Sequence, residues 1–144
     1  MSILDSIQQP TLVIDQRRAQ ENIRRIAARA AGQGVRFRPH FKTHQAATVG
    51  EWFRAENVDA ITVSSVDMAE YFAGHGWQDI LIAFSANLRE HEAIRRLAGK
   101  IHLGLLFESV EAIQAIAPRL DSTVDAWLKV DAGAGRTGIE WDRP

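Results

Sequence analysis

Short, β-rich apolar runs alternate with stretches of helical periodicity along the 144 residues of the chain. The runs lie at Thr11 to Ile14, Val35 to Lys42, Ala60 to Ser64, Ile80 to Ser85, Ile101 to Phe107 and Ala126 to Asp131. Helices are predicted between them, and several carry start signals: Asp15 as N-cap of the first, Ser64 with Asp67 as a capping box for the third, and Asn87 with Glu90 for the fourth. Gly32, Gly74 and Gly99 come after periodic segments as stops, and Pro118 closes the helix that starts near Ser109. The last residues of the five later strands, Lys42, Ser64, Ser85, Phe107 and Asp131, stand 22, 21, 22 and 24 positions apart, one βα unit per interval. Strands alternating with single helices predict an α/β fold with a parallel sheet, either an open doubly wound sheet or part of a (β/α)8 barrel. Periodicity does not separate the two. A closed barrel takes about 250 residues, so residues 1–144 are expected to form one partial domain of a longer protein, inactive on its own.

Composition narrows the class. With 46% hydrophobic residues, 24% charged residues and a formal net charge of -1, the chain can bury a core. No apolar stretch approaches the ~20 residues of a spanning helix, and the N-terminus lacks the pattern of a secretory signal. A cytoplasmic location away from the membrane is expected. The absence of cysteine excludes a disulfide framework, a thiolate metal site and a cysteine nucleophile. A pI near 6.5 argues against nucleic acid as a partner. Arg17, Arg18, Arg24, Arg25 and Arg29 do cluster, but Ala19, Ile23, Ile26, Ala27 and Ala30 keep helical spacing, so the arginines read as the solvated face of an amphipathic helix.

Candidate chemistry concentrates in two stretches. In "RFRPHFKTHQ", Arg36 to Gln45, a strand would place Arg38, His40 and Lys42 on one side and Phe37, Pro39 and Phe41 on the other. The apolar side would pack under helices, leaving Lys42 at the C-terminal strand end, where α/β enzymes place their chemistry. Held there among cations with little water, a lysine can present the free amine that attacks a carbonyl to form a Schiff base. A lysine snorkelling into solvent fits the same pattern. His40 and His44 are separated by about 13 Å if the segment is extended, too far for one metal ion, so His40 reads as a lining residue and no metal ligand is assigned.

The second stretch is "KVDAGAGRTGI", Lys129 to Ile139. Gly133, Gly135 and Gly138 satisfy G-x-G-x-x-G, which raises a nucleotide-binding domain. A dinucleotide loop should open a helix and lead to an acid ~20 residues on, and neither is seen after Ile139. The stretch reads better as a flexible turn delivering Arg136 to the face that holds Lys42, although a surface arginine fits the spacing too.

With these residues in place, the sequence resembles the fold-type III pyridoxal-phosphate enzymes, whose N-terminal domain is the alanine-racemase-like barrel. The resemblance runs from "TLVIDQRRAQENI" through "RFRPHFKTHQ" to "LKVDAGAGRTGI". The segment "RPHFKTH" is similar to the R-P-H-x-K-T-H motif of the D-threonine aldolase and D-serine dehydratase branch. The resemblance implies that Lys42 carries pyridoxal 5'-phosphate as a Schiff base, and that Arg136 reaches the phenolic oxygen of its ring. It further implies a lyase acting on small D-β-hydroxy amino acids, as in retro-aldol cleavage of D-threonine. A D-serine-type dehydratase, an amino-acid racemase and a non-catalytic carrier of the same cofactor stay open. Lys129 stands where alanine racemases also carry a lysine, yet the residues after Lys42 lack the racemase signature. In the family, the phosphate loops, any divalent-metal ligands and a β-rich second domain lie in later segments, and the complete protein is expected to be a homodimer.

Overall fold

The computed structural model describes residues 3–142. Helix α1, Gln16–Gly32, begins where Asp15 accepts the Arg18 amide at 3.0 Å. It buries Ile23, and Arg17, Arg18, Arg24, Arg25 and Arg29 all lie exposed, as an amphipathic helix requires. Beyond it come α2 (Ala47–Arg54), β1 (Ile61–Val63), α3 (Val66–Gly74), β2 (Asp79–Ser85), α4 (His91–Ala98), β3 (His102–Phe107), α5 (Val110–Ile116), β4 (Asp125–Leu128), β5 (Val130–Asp131) and β6 (Ile139–Glu140). The cap of α3 is Ser65, one residue beyond the expected Ser64, with its hydroxyl accepting the Met68 amide. Asn87 caps a single 3-10 turn, Leu88–Glu90, ahead of α4. Pro118 sits in a second such turn, Ala117–Arg119, which closes α5.

Strands β1 to β4 form one parallel sheet in sequential order. A doubly wound sheet reverses its strand order at a switch point, whereas a barrel keeps winding in one direction. The sequential order therefore favours the barrel alternative. Ile61, Val63, Ile80, Ile82, Leu103 and Leu105 pack with Phe72, Ile94 and Ile116 from the helices to make the core. β4 is exposed along its whole length. At the N-terminal strand ends Asp79, only 13% exposed, receives Arg36 and Arg38, each at 2.8 Å. Arg38 also donates to the Ile61 carbonyl. Although burial pushes the Asp79 carboxyl up, the two guanidinium groups outweigh it and hold the group below the usual carboxylate range.

Three expected strands differ. Thr11 to Ile14 forms no strand, and Leu12 is 86% exposed. The residues have β propensity, but among the described residues no neighbour pairs with them, and propensity without a partner builds no ladder. Val35 to Lys42 is not a regular strand either. It makes one parallel bridge, His40 to Thr62, supported by the Thr62 amide donating to the Pro39 carbonyl at 2.8 Å. The chain then tightens into a 3-10 turn, Phe41–Thr43. Pro39 has no amide to give a ladder, and Phe41 turns inward to be fully buried. Ala126 to Asp131 is split at Lys129, whose amide still reaches the Phe107 carbonyl at 2.9 Å.

Candidate active site

The C-terminal ends of β1, β2 and β3 open onto a cleft of about 470 Å3. Lys42, His40 and Arg136 line it together, so the two sequence-distant stretches meet at one place. Ser64, Ser65, Ser85 and Asn87 supply polar groups, Glu90 is the acid in the lining, and Val66, Ile82, Ile94 and Leu105 make an apolar wall.

Lys42 owes its place to its neighbours. Phe41 is 0% exposed, with its ring 4.9 Å from that of Phe72 and 5.1 Å from those of Phe53 and Trp77. Anchoring Phe41 inward turns the next residue outward, and Lys42 is exposed at the cleft. The expected shortage of water around it is not met by the described residues. On one side His40 Nδ1 accepts the Lys42 amide at 3.3 Å, and on the other His44 Nδ1 accepts the Ala46 amide at 3.3 Å. Each imidazole thus closes a two-residue turn, and the lysine lies between them. Burial, and for His40 the neighbouring Lys42 charge, push both histidines below their ordinary range. A neutral ring that accepts at Nδ1 carries its proton on Nε2, so His40 keeps one donor for the cleft. His44 is packed among Phe41, Phe53 and Phe72 instead, and its Nε2 is buried.

Arg136 arrives on the loop between β5 and β6. Two parallel strands joined by so short a connection demand unusual backbone, and Gly133, Gly135 and Gly138 have φ of 105°, 62° and 117°. At Gly138 a Cβ would lie 2.7 Å from the Asp131 nitrogen, so no other residue fits there without a shift. The loop opens no helix, which removes the dinucleotide-binding alternative. Lys129 Nζ donates to Thr137 Oγ1 just beyond Arg136.

Several lining residues escape a reading of residue order. β2 shifts register between Ile82 and Ser85, so Ala83 and Phe84 bulge beside the cleft. Bulges leave little trace in apolar periodicity. Ser64 and Ser85, in contrast, are legible as strand ends, and the rule that barrels carry chemistry at those ends would nominate them.

Fold and site together define a barrel-type parallel α/β sheet with Lys42, His40 and Arg136 in a cleft at its C-terminal edge. The chain belongs to the family described as alanine racemase, N-terminal domain, which matches residues 14–143. Among relatives, it is 38% identical over 137 residues to D-threo-3-hydroxyaspartate dehydratase of Delftia sp., covering 92% of this chain and 36% of that protein. It is 28% identical over 141 residues to 3-hydroxy-D-aspartate aldolase of Paracoccus denitrificans, again covering 92% and 36%. The solved D-threonine aldolase of Filomicrobium marinum superposes with a TM-score of 0.89 at 23% identity, covering 95% of this chain and 38% of that one, and supports the fold. The chain spans little more than a third of the length of these relatives.

Proposed function

We propose that this chain is the cofactor-lysine part of a longer pyridoxal-phosphate-dependent lyase acting on small D-β-hydroxy amino acids, as a homodimer. The observation that carries the reading is the meeting of Lys42, His40 and Arg136 in one cleft at the strand ends. The donor set fits the group: a primary amine for its aldehyde, a neutral imidazole, a guanidinium for an anionic ring oxygen, and an apolar wall for a flat ring. Lys42 would hold the cofactor covalently through Nζ, and Arg136 would stand against the ring oxygen. When bound, the cofactor supplies an electron sink for the bond broken next to the amino-bearing carbon.

The residues of this chain then bind and orient. His40 would offer its Nε2 proton to the cleft while its other nitrogen fixes the Lys42 backbone, and the Lys42 amine would be placed to move protons at the cleft mouth. Arg136 would compensate negative charge on the ring. Glu90 is the acid available in the lining. Among the described residues no group of three or more His, Asp or Glu side chains could hold a metal, so a divalent ion enters this proposal only through other segments.

Two bond choices compete. Retro-aldol cleavage breaks the Cα–Cβ bond and needs a base for the β-hydroxyl besides the Lys42 amine, a role not assigned to any described residue. Elimination of water instead expels that hydroxyl. The 38% identity to a dehydratase, against 28% to an aldolase, favours elimination. Incubating the complete protein with D-threonine, D-serine and D-threo-3-hydroxyaspartate, and separating products, tests both choices. Ammonia with a 2-keto acid supports elimination, glycine with an aldehyde supports the aldol reading, and racemised substrate alone contradicts the lyase.

A further inference from the structure

Arg136 is exposed on a loop with three left-handed glycines, yet the proposed site needs it in one place. What holds the stretch leading into Arg136 is one side chain. Asp131 Oδ1 accepts the amides of Gly133 at 2.9 Å, Ala134 at 2.8 Å and Gly135 at 3.2 Å, and Oδ2 accepts the Gly135 amide at 2.9 Å. A carboxylate that takes three successive backbone donors converges them on one point, and hydrogen bonds to a charged acceptor are the strong ones. Gly135 is the residue before Arg136, so the last of these bonds fixes the peptide from which the guanidinium projects.

The far side of the loop is fastened differently. Lys129 Nζ reaches Thr137, and the Ile139 amide donates to the Lys129 carbonyl at 2.8 Å. Those contacts close the loop behind Arg136, while Asp131 shapes the stretch that leads into it. Asp131 is itself held by the β5–β6 ladder, in which it pairs with Glu140.

We infer that Asp131 is a positioning residue, acting through the loop amides to present Arg136 to the cleft. The inference rests on the reading of Arg136 as a cofactor contact. An acceptor oxygen is what the loop requires, so Asp131→Asn keeps one and Asp131→Ala keeps none. Asparagine still accepts at Oδ1, and the distinction separates geometry from charge.

The test uses the complete protein. In its cofactor-free form, hydrogen exchange of the Gly133, Ala134 and Gly135 amides, corrected for intrinsic rates, should be about tenfold faster in Asp131→Ala than in wild type, with Asp131→Asn close to wild type. In the pyridoxal-phosphate form, Asp131→Ala should shift the pH dependence of the visible band in the direction Arg136→Leu does. Added to Arg136→Leu, it should shift it no further. Unchanged exchange in Asp131→Ala, or equal loss in both variants, overturns the positioning role, as does a spectral shift that persists in the Arg136→Leu background. If Arg136→Leu alone leaves the titration unmoved, the cofactor contact of Arg136 fails, whereas the exchange result still decides whether Asp131 holds the loop.

Discussion

Lys42 and Arg136 meet in one cleft, but the loops that carry them are built on opposite principles. The Lys42 turn is rooted in the core: Phe41 is fully buried among Phe53, Phe72 and Trp77, and the lysine is outside because its neighbour is inside. Among the described residues, the Arg136 loop contributes none to the buried apolar cluster. It is shaped by glycines with positive φ and by backbone donors converging on the Asp131 carboxylate. A residue anchored by packing shares the global stability of the domain, whereas one anchored by a local hydrogen-bond nest can open alone. The contrast implies that damage to the first loop is felt everywhere and damage to the second only nearby.

The largest expected effect belongs to the first loop. Phe41→Ala should cost about 3–5 kcal/mol of unfolding free energy, because the cavity opens between Phe53, Phe72 and Trp77. Urea titration measures it, and a loss under about 1 kcal/mol would show that the turn is not rooted in the core. Gly138→Ala comes next. With φ of 117° and a Cβ 2.7 Å from the Asp131 nitrogen, it should cost about 1–3 kcal/mol, spent mostly in the loop. Faster amide exchange at Ile139 with a nearly unchanged sheet would support the comparison. A sheet destabilised as much as by Phe41→Ala would break it.

The smallest effect concerns pH. His44 and His40 are held below the ordinary value of 6.5 by burial, with the Lys42 charge adding to the effect at His40. A depressed value means that the unfolded chain binds the proton first, so their contribution is fully present above the ordinary value and is lost as pH falls through the folded one. Stability should therefore drop as pH falls below the ordinary value of 6.5. His44→Asn, which can still accept the Ala46 amide, should flatten part of that slope. An equally steep slope would mean that His44 contributes nothing to it.

The two regions also differ in how far residue order reveals them. The βα rhythm, the Asp15 cap, the helix start near Ser109 and the amphipathic α1 were legible because each depends on neighbours a few positions away. Lys42 was legible as a candidate through its alternation with Phe37, Pro39 and Phe41, although the local geometry proved to be a bridge leading into a turn. Thr11 to Ile14 misled because strand formation needs a partner that local pattern does not reveal. The β2 bulge and the hold of Asp131 on its loop stayed hidden, since both arise from register and backbone direction rather than from side-chain type.

The central claim is that Lys42 is the residue to which the cofactor is joined. Borohydride reduction of the complete protein loaded with pyridoxal phosphate, with peptide mass mapping of the product, tests it most directly. The pyridoxyl label is expected on Lys42, with none in Lys42→Ala. A label on Lys129 or Lys100 would contradict the claim.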